Sequence, residues 1–280
     1  MATLVKTSDR ESTPVPRSVL SSSLTDGKGE SMRAAIRVTT AVFVFMFAAT
    51  TARAEDIRVL SSVGIKAVVE VLGPQFERAT KHKVTTVFDL AGVLKTRIEG
   101  GEPFDVAILT PAMIDDLISK GKIAPATRVE VARTGLGLMI RAGAPKPDVS
   151  TSEAFRKTLL GAKSITYVTT GASGVAFLAT VEKMGIADAI KAKSKPAANG
   201  EQVNANVLNG TAEYAVLPVS EILPVKGAEL GGVFPSASQT YIVMAAGVGA
   251  HAKNSVAREF VAYLMAAPNS AVIRDKGMER

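Results

Sequence analysis

The chain has 280 residues, 47% of them hydrophobic and 21% charged, with 23 Gly and 13 Pro; this builds one large domain or two modest ones and excludes disordered, collagen-like and coiled-coil chains. Zero Cys excludes disulfides, thiolate metal sites and Cys nucleophiles, the two His (His82, His251) leave little imidazole chemistry, and 5% aromatics without Trp disfavour a base-stacking platform. The net charge of +7 points to an anionic partner without saying which.

Residues 1–31 are rich in Ser, Thr, Pro, Gly and charge without apolar period and read as unstructured. From Met32, the basic Arg33 and Arg37, the apolar run 38–49 and Ala52-Arg53-Ala54 form the three parts of a secretory signal peptide, with cleavage expected after Ala54 and translation starting at Met32. The run falls short of the ~20 residues a spanning helix needs, so a permanent anchor is the weaker reading. This leader holds seven Lys/Arg and four Asp/Glu, leaving 26 against 22 in residues 55–280. Those charges are dispersed, so a nucleic-acid surface is weakly supported.

A strand over 57–60 ends in Ser61-Ser62 and is followed by apolar residues at helical spacing, Val63 to Phe76. A second strand over 83–88 precedes a helix over 93–99 that Gly100-Gly101 stops, and a third over 104–109 precedes a helix opened by Pro111. This alternation predicts a parallel α/β sheet. The texture changes near Arg133: a connecting strand over 135–140, a helix over 152–160, a strand over 164–168 and then Ala172-Ser173-Gly174 opening another helix. A weaker helix over 203–208, strands over 214–218 and 240–246 and a helix over 255–265 complete a second α/β unit and its return.

In open α/β sheets ligands bind at the carboxyl ends of strands, beside helix starts. Ser61-Ser62 and Ser173-Gly174 both stand at such places, where unpaired N–H groups and the positive end of the helix attract an anion. Ordinary helix capping explains the same serines, and spacing alone does not decide. Gly171-Ala172-Ser173-Gly174 lacks the Gly and Lys of a phosphate loop, and Val175 breaks the pattern of a nucleophile elbow. No HExxH, paired His or carboxylate cluster marks a metal site. His82 and His251 read as solvated residues, Asp105 as a loop brace and Asp115-Asp116 as a helix surface.

Val59-Leu60-Ser61-Ser62, the stretch Arg97-Ile98-Glu99-Gly100-Gly101-Glu102-Pro103-Phe104-Asp105-Val106, Gly174 at a helix start and the closing Tyr263 to Ser270 together resemble the periplasmic molybdate-binding protein family of ABC importers. The resemblance implies a two-lobed α/β periplasmic-binding-protein fold of type II: lobe I over 55–132 and 234–280, lobe II over 133–233, and a ligand cleft between them. It also implies a periplasmic, monomeric protein that holds a small anion without metal or cofactor and serves a permease in the inner membrane. Carried over residue by residue, the family's ligand contacts fall at Ser62 with Ser61 beside it, Ala91, Ser173 and Gly174, Val203 and Pro218. At Ala91 the family's second serine is missing and at Pro218 its tyrosine, a loss of roughly 1–3 kcal/mol for each absent donor. An organic acid therefore suits the altered site better than molybdate, with Lys66 and Lys95 as candidate cation contacts. Aconitate isomerase resembles the same family, so an enzyme moving an allylic proton is the alternative function, with Asp89 as its candidate base by position.

Overall fold

The computed structural model describes residues 54–252 and 255–280 of the chain. The expected leader, signal peptide and start at Met32 lie outside the described residues. Strand β1 (Asp56–Ser62) runs into a 3-10 turn (Val63–Ile65) and helix α1 (Lys66–Thr80), which buries Val68, Val69, Leu72 and Phe76 along one face. That i, i+1, i+4, i+8 spacing is a helix's apolar stripe. Strand β2 (Lys83–Asp89), helix α2 (Ala91–Glu99), strand β3 (Val106–Leu109) and helix α3 (Pro111–Ser119) come next, as the sequence predicts. The connecting strand is longer than predicted: β4 spans Val129–Arg141.

Beyond it come α4 (Ser152–Gly161), β5 (Ile165–Val168), α5 (Ala172–Lys183), α6 (Ala187–Lys191), β6 (Ser194–Ala197), α7 (Gly200–Leu208), β7 (Tyr214–Pro218), α8 (Val219–Ile222) and β8 (Ala228–Val233). The chain returns through β9 (Tyr241–Val248), α9 (Val256–Met265) and α10 (Ser270–Asp275). Strands β6 and β8 have no counterpart in the sequence reading, for a physical reason. Ser-Lys-Pro-Ala is a polar edge strand at the end of the strand path, where a Pro is tolerated, and β8 carries the Gly231-Gly232 pair that weakens strand propensity.

The strand order is β2-β1-β3-β9-β4-β7-β5-β6, with β8 paired to β4. The sheet is mixed, which corrects the all-parallel expectation: β1 pairs in parallel with β2 and β3, and β5 with β6 and β7, but β9 and β4 run against every neighbour. The reason is topological. Residues 129–135 of β4 pair with β9 and residues 136–141 with β7 and β8, so one strand carries the chain from the first half into the second and β9 brings it back.

Two local features fix the geometry of the halves. Gly174 packs its backbone so tightly on the end of β5 that a Cβ there would stand 1.9 Å from the Val168 carbonyl oxygen, so the start of α5 is seated where only glycine fits. In the first half, the stretch that carries the family resemblance is a brace. Arg97 Nη2 and Arg58 Nη2 donate to Glu102 at 2.8 and 2.6 Å, and the Arg58 N–H donates to Asp105 Oδ2 at 2.7 Å. Asp105 is thus the loop brace that the sequence reading expected.

The two guanidiniums hold the Glu102 carboxyl down at about 2. A carboxyl lowered in the folded state contributes stability above its ordinary value and loses that contribution as pH falls through the folded one. Glu102→Gln is expected to lower the melting temperature at pH 7, with the gap to wild type closing between about pH 4.5 and 2; the check is a pair of thermal melts across that range.

Candidate functional site

Two adjoining cavities, about 390 and 550 Å³, lie between the halves and share Val63, Leu90, Gly200 and Glu221 as common wall. The smaller one collects the ends of several elements: Ser62 and Gly64 after β1, Ala91 and Gly92 opening α2, Ala172 and Ser173 opening α5, and Pro218 closing β7. Ser62 is 4% exposed and its Oγ accepts the Gly64 N–H at 3.3 Å. Leu90 and Gly171, the residues preceding α2 and α5, make no side-chain cap, so two helix starts reach the cavity with first-turn N–H groups not satisfied by a capping side chain. Uncapped helix starts favour negative charge. Much of the remaining wall is apolar, with Val168, Met113, Ile242 and Met244, while Thr110, Thr170 and Glu221 are polar members of it.

Of the residues expected at the ligand, Ser62, Ala91, Ser173 and Pro218 meet at this cavity. Ser61, Gly174 and Val203 do not line it. Ser61 is fully buried and turns its hydroxyl onto the Ser62 carbonyl at 3.3 Å, Gly174 is consumed by its packing on β5, and Val203 belongs to the apolar cluster with Leu217 and Ile222. Lys95 lies away from both cavities, paired with Glu99 at 2.6 Å and Asp116 at 2.8 Å. Lys66 does line the larger cavity, 3.7 Å from Glu70 and 5.6 Å from the centre of the Phe88 ring. Asp89 is there too, but its Oδ1 accepts the Leu90 N–H at 2.8 Å and its Oδ2 stands 3.6 Å from Arg97. A carboxylate so engaged is a poor candidate for a base. His82 accepts the Glu55 N–H on Nδ1 at 3.2 Å, and Asp115 is paired with Arg128 at 2.7 Å.

The sequence reading misses the most unusual group in the cleft. Glu221 lies on α8, lines both cavities and is the one charged side chain on the wall of the smaller one among the described residues. Its two oxygens reach across the gap: Oε1 stands 3.7 Å from where a Gly64 Cβ would be and Oε2 3.6 Å from where a Gly200 Cβ would be. Ser62 Oγ is 3.6 Å from that same Gly64 position, so hydroxyl and carboxyl both border the Gly64 turn. Helix α8 is pinned there because Ser220 donates its hydroxyl to the Gly64 carbonyl at 2.9 Å and its N–H to Thr134 Oγ1 at 3.3 Å. Desolvation at the junction of the two cavities, with no compensating charge among the described residues, pushes the partly buried Glu221 carboxyl up to about 7. Ionising it there costs roughly 3 kcal/mol more than in water. The available signal was topological: Glu221 comes just after the carboxyl end of β7, much as Ser62 ends β1.

Residues 57–279 match the family described as bacterial extracellular solute-binding protein, and the chain belongs to that family. Among its relatives, the aconitate isomerase of a Pseudomonas species is 29% identical over 231 residues, 79% of this chain and 86% of that protein. The molybdate-binding protein ModA of Azotobacter vinelandii is 26% identical over 176 residues, 62% of this chain and 69% of that one. The solved structure of the Azotobacter vinelandii periplasmic molybdate-binding protein superposes with a TM-score of 0.68 at 20% identity, covering 80% of this chain and 99% of that one. The fold is therefore the expected periplasmic-binding-protein fold, and the resemblance to molybdate-binding relatives holds.

A carboxyl raised in the folded state contributes full stability below its ordinary value and loses it as pH rises through the folded one. Glu221→Gln is therefore expected to melt several degrees above wild type at pH 8–9, at roughly 2–4 °C per kcal/mol, and level with it below pH 4.5. Melts of both proteins at the two pH values check this.

Proposed function

We propose that the chain is an exported solute-binding protein that takes a small organic polycarboxylate into the cleft and delivers it, in the periplasm, to the permease of an ABC importer. The single observation that carries the choice of ligand is the largely apolar wall of the smaller cavity, poorer in hydroxyls than the resemblance implies, while Glu221, facing the helix starts from across it, bears on any anion. An ionised Glu221 about 4 Å from a bound dianion costs on the order of 4 kcal/mol for each charge pair at an effective dielectric of 20. The cleft also has Ala91 and Pro218 in place of the serine and tyrosine hydroxyls that the resemblance implies for an oxyanion. Its apolar wall of Val168, Ile242 and Met244 suits a carbon skeleton, and its volume of about 390 Å³ falls in the range of small organic ligands. In this reading Ser62 and the first turns of α2 and α5 hold carboxylates, while the halves over 55–132 with 234–280 and over 133–233 act as lobes that close about β4 and β9 on a monomer.

Thermal melts of the purified protein with tricarballylate, citrate and both aconitate isomers, against molybdate, tungstate and sulfate, test the reading. A ligand at about 100 times its Kd adds about 2.7 kcal/mol, a rise of several degrees for a domain of this size. The carboxylates are expected to raise the midpoint and the oxyanions to leave it unchanged; a rise with molybdate alone overturns the reading.

A second reading is favoured by the 29% identity to an aconitate isomerase together with a carboxyl poised near neutrality inside the cleft. Glu221 would take a proton from the methylene of trans-aconitate as the double bond shifts, then return it to the former vinylic carbon, with no net change in atoms or charge. Appearance of cis-aconitate from trans-aconitate with wild type and its loss with Glu221→Gln support this reading; absence of conversion by wild type removes it.

A further inference from the structure

Glu221 combines three geometric facts. It lies where the two cavities join, its carboxyl spans from the turn after β1 to the start of α7, and among the described residues no hydrogen bond or ion pair engages it. Its neighbour Ser220 is fully occupied with Gly64 and Thr134, which fixes the α8 backbone from which the Glu221 side chain projects.

The charged surroundings do not supply a counter-charge. From α1 the larger cavity receives Lys66 and Glu70, from β2 Asp89, and from α7 Glu201. Lys66 is shared with Glu70 and the Phe88 ring, and Asp89 with Arg97. The elements packed on α8, namely the 63–65 turn, β4, β7 and β8, place no charged side chain on either cavity wall. A ligand carboxylate entering the smaller cavity thus meets first-turn N–H groups on one side and a lone carboxyl on the other.

We infer that Glu221 meets the ligand as a neutral carboxylic acid, donating its proton in a hydrogen bond to a carboxylate of the bound anion, so that binding at alkaline pH takes up one proton. This rests on the organic-acid reading and adds a pH-dependent specificity residue to it. An O–H donor to a carboxylate oxygen is among the stronger hydrogen bonds, whereas the ionised form offers only repulsion. Partly buried at the cavity junction, with no ion pair or hydrogen bond among the described residues to favour its charge, the carboxyl is raised to about 7, so the free protein presents the acid form below neutrality and loses it above. Affinity is therefore flat just below that value and falls by up to tenfold for each pH unit above it.

Tricarballylate is the probe, because it carries three carboxylates and has no double bond to move. Its Kd for the purified protein is measured by calorimetry from pH 7.5 to 9.5, and at pH 8.5 in two buffers of different ionisation enthalpy to count protons. Wild type is expected to weaken by roughly 30- to 100-fold across the range and to take up close to one proton per ligand at pH 8.5. Glu221→Gln, which keeps an N–H donor but cannot titrate, is expected to show a flat profile and no uptake; the proton count on wild type stands alone if that variant does not fold. Binding by wild type with neither slope nor uptake, or an equal slope in Glu221→Gln, overturns the inference and leaves the organic-acid reading standing. No binding at any pH overturns both.

Discussion

A partly buried acidic side chain without a counter-charge, set on the wall of a cleft whose other walls attract anions, is the constraint on which the site depends. Helix starts and the Ser62 turn favour negative charge, and Glu221 opposes it from α8. A bound anion and an ionised Glu221 compete for the same helix starts, a conflict that protonation of Glu221 removes. The protein holds this opposition in place with hydrogen bonds that reach far along the chain: Ser220 is 156 residues from Gly64 and 86 from Thr134.

The anion preference hinted at by the net charge of +7 is located by this arrangement and not by formal charge. Many basic side chains are already committed. Lys95 and Lys120 both grip Glu99 and Asp116, Arg58 and Arg97 share Glu102, and Arg128 holds Asp115. What remains for a ligand in the smaller cavity are backbone donors and the hydroxyls of residues such as Ser62 and Ser173, which select by geometry and hydration and leave bulk charge with little role.

Much of the fold was legible in the sequence because its elements obey simple periods. Val68, Leu72 and Phe76 recur at helical spacing, the 106–109 run is apolar throughout, as suits a strand buried on both faces, and Pro111 opens a helix where its missing N–H is harmless. The polar edge strand β6 and the glycine-bearing β8 were not legible, since their pairing is decided by neighbours and not by their own residues. The site was legible in its backbone half, at Ser62 and Ser173, because strand-to-helix junctions mark themselves. It was not legible in its acidic half. The predicted strand ends at Pro218 and nothing in Val219-Ser220-Glu221 marks a site, since only the meeting of α8 with the 63–65 turn sets Glu221 on the cavity wall. The stretch that carries the family resemblance identifies the fold for a related reason: Arg97, Glu102 and Asp105 brace the first half and touch neither cavity in the cleft.

The chemistry of the cleft turns on the protonation of one group, and that can be watched directly. Carbon-13 NMR of the ligand-free protein, with the Glu221 carboxyl assigned by its loss in Glu221→Gln, tracks the titration of this group alone. A midpoint near 7 is the predicted result. A midpoint in the ordinary glutamate range, about 4–5, contradicts it, because Glu221 would then be an ionised surface acid and not the proton-holding wall of an anion cleft.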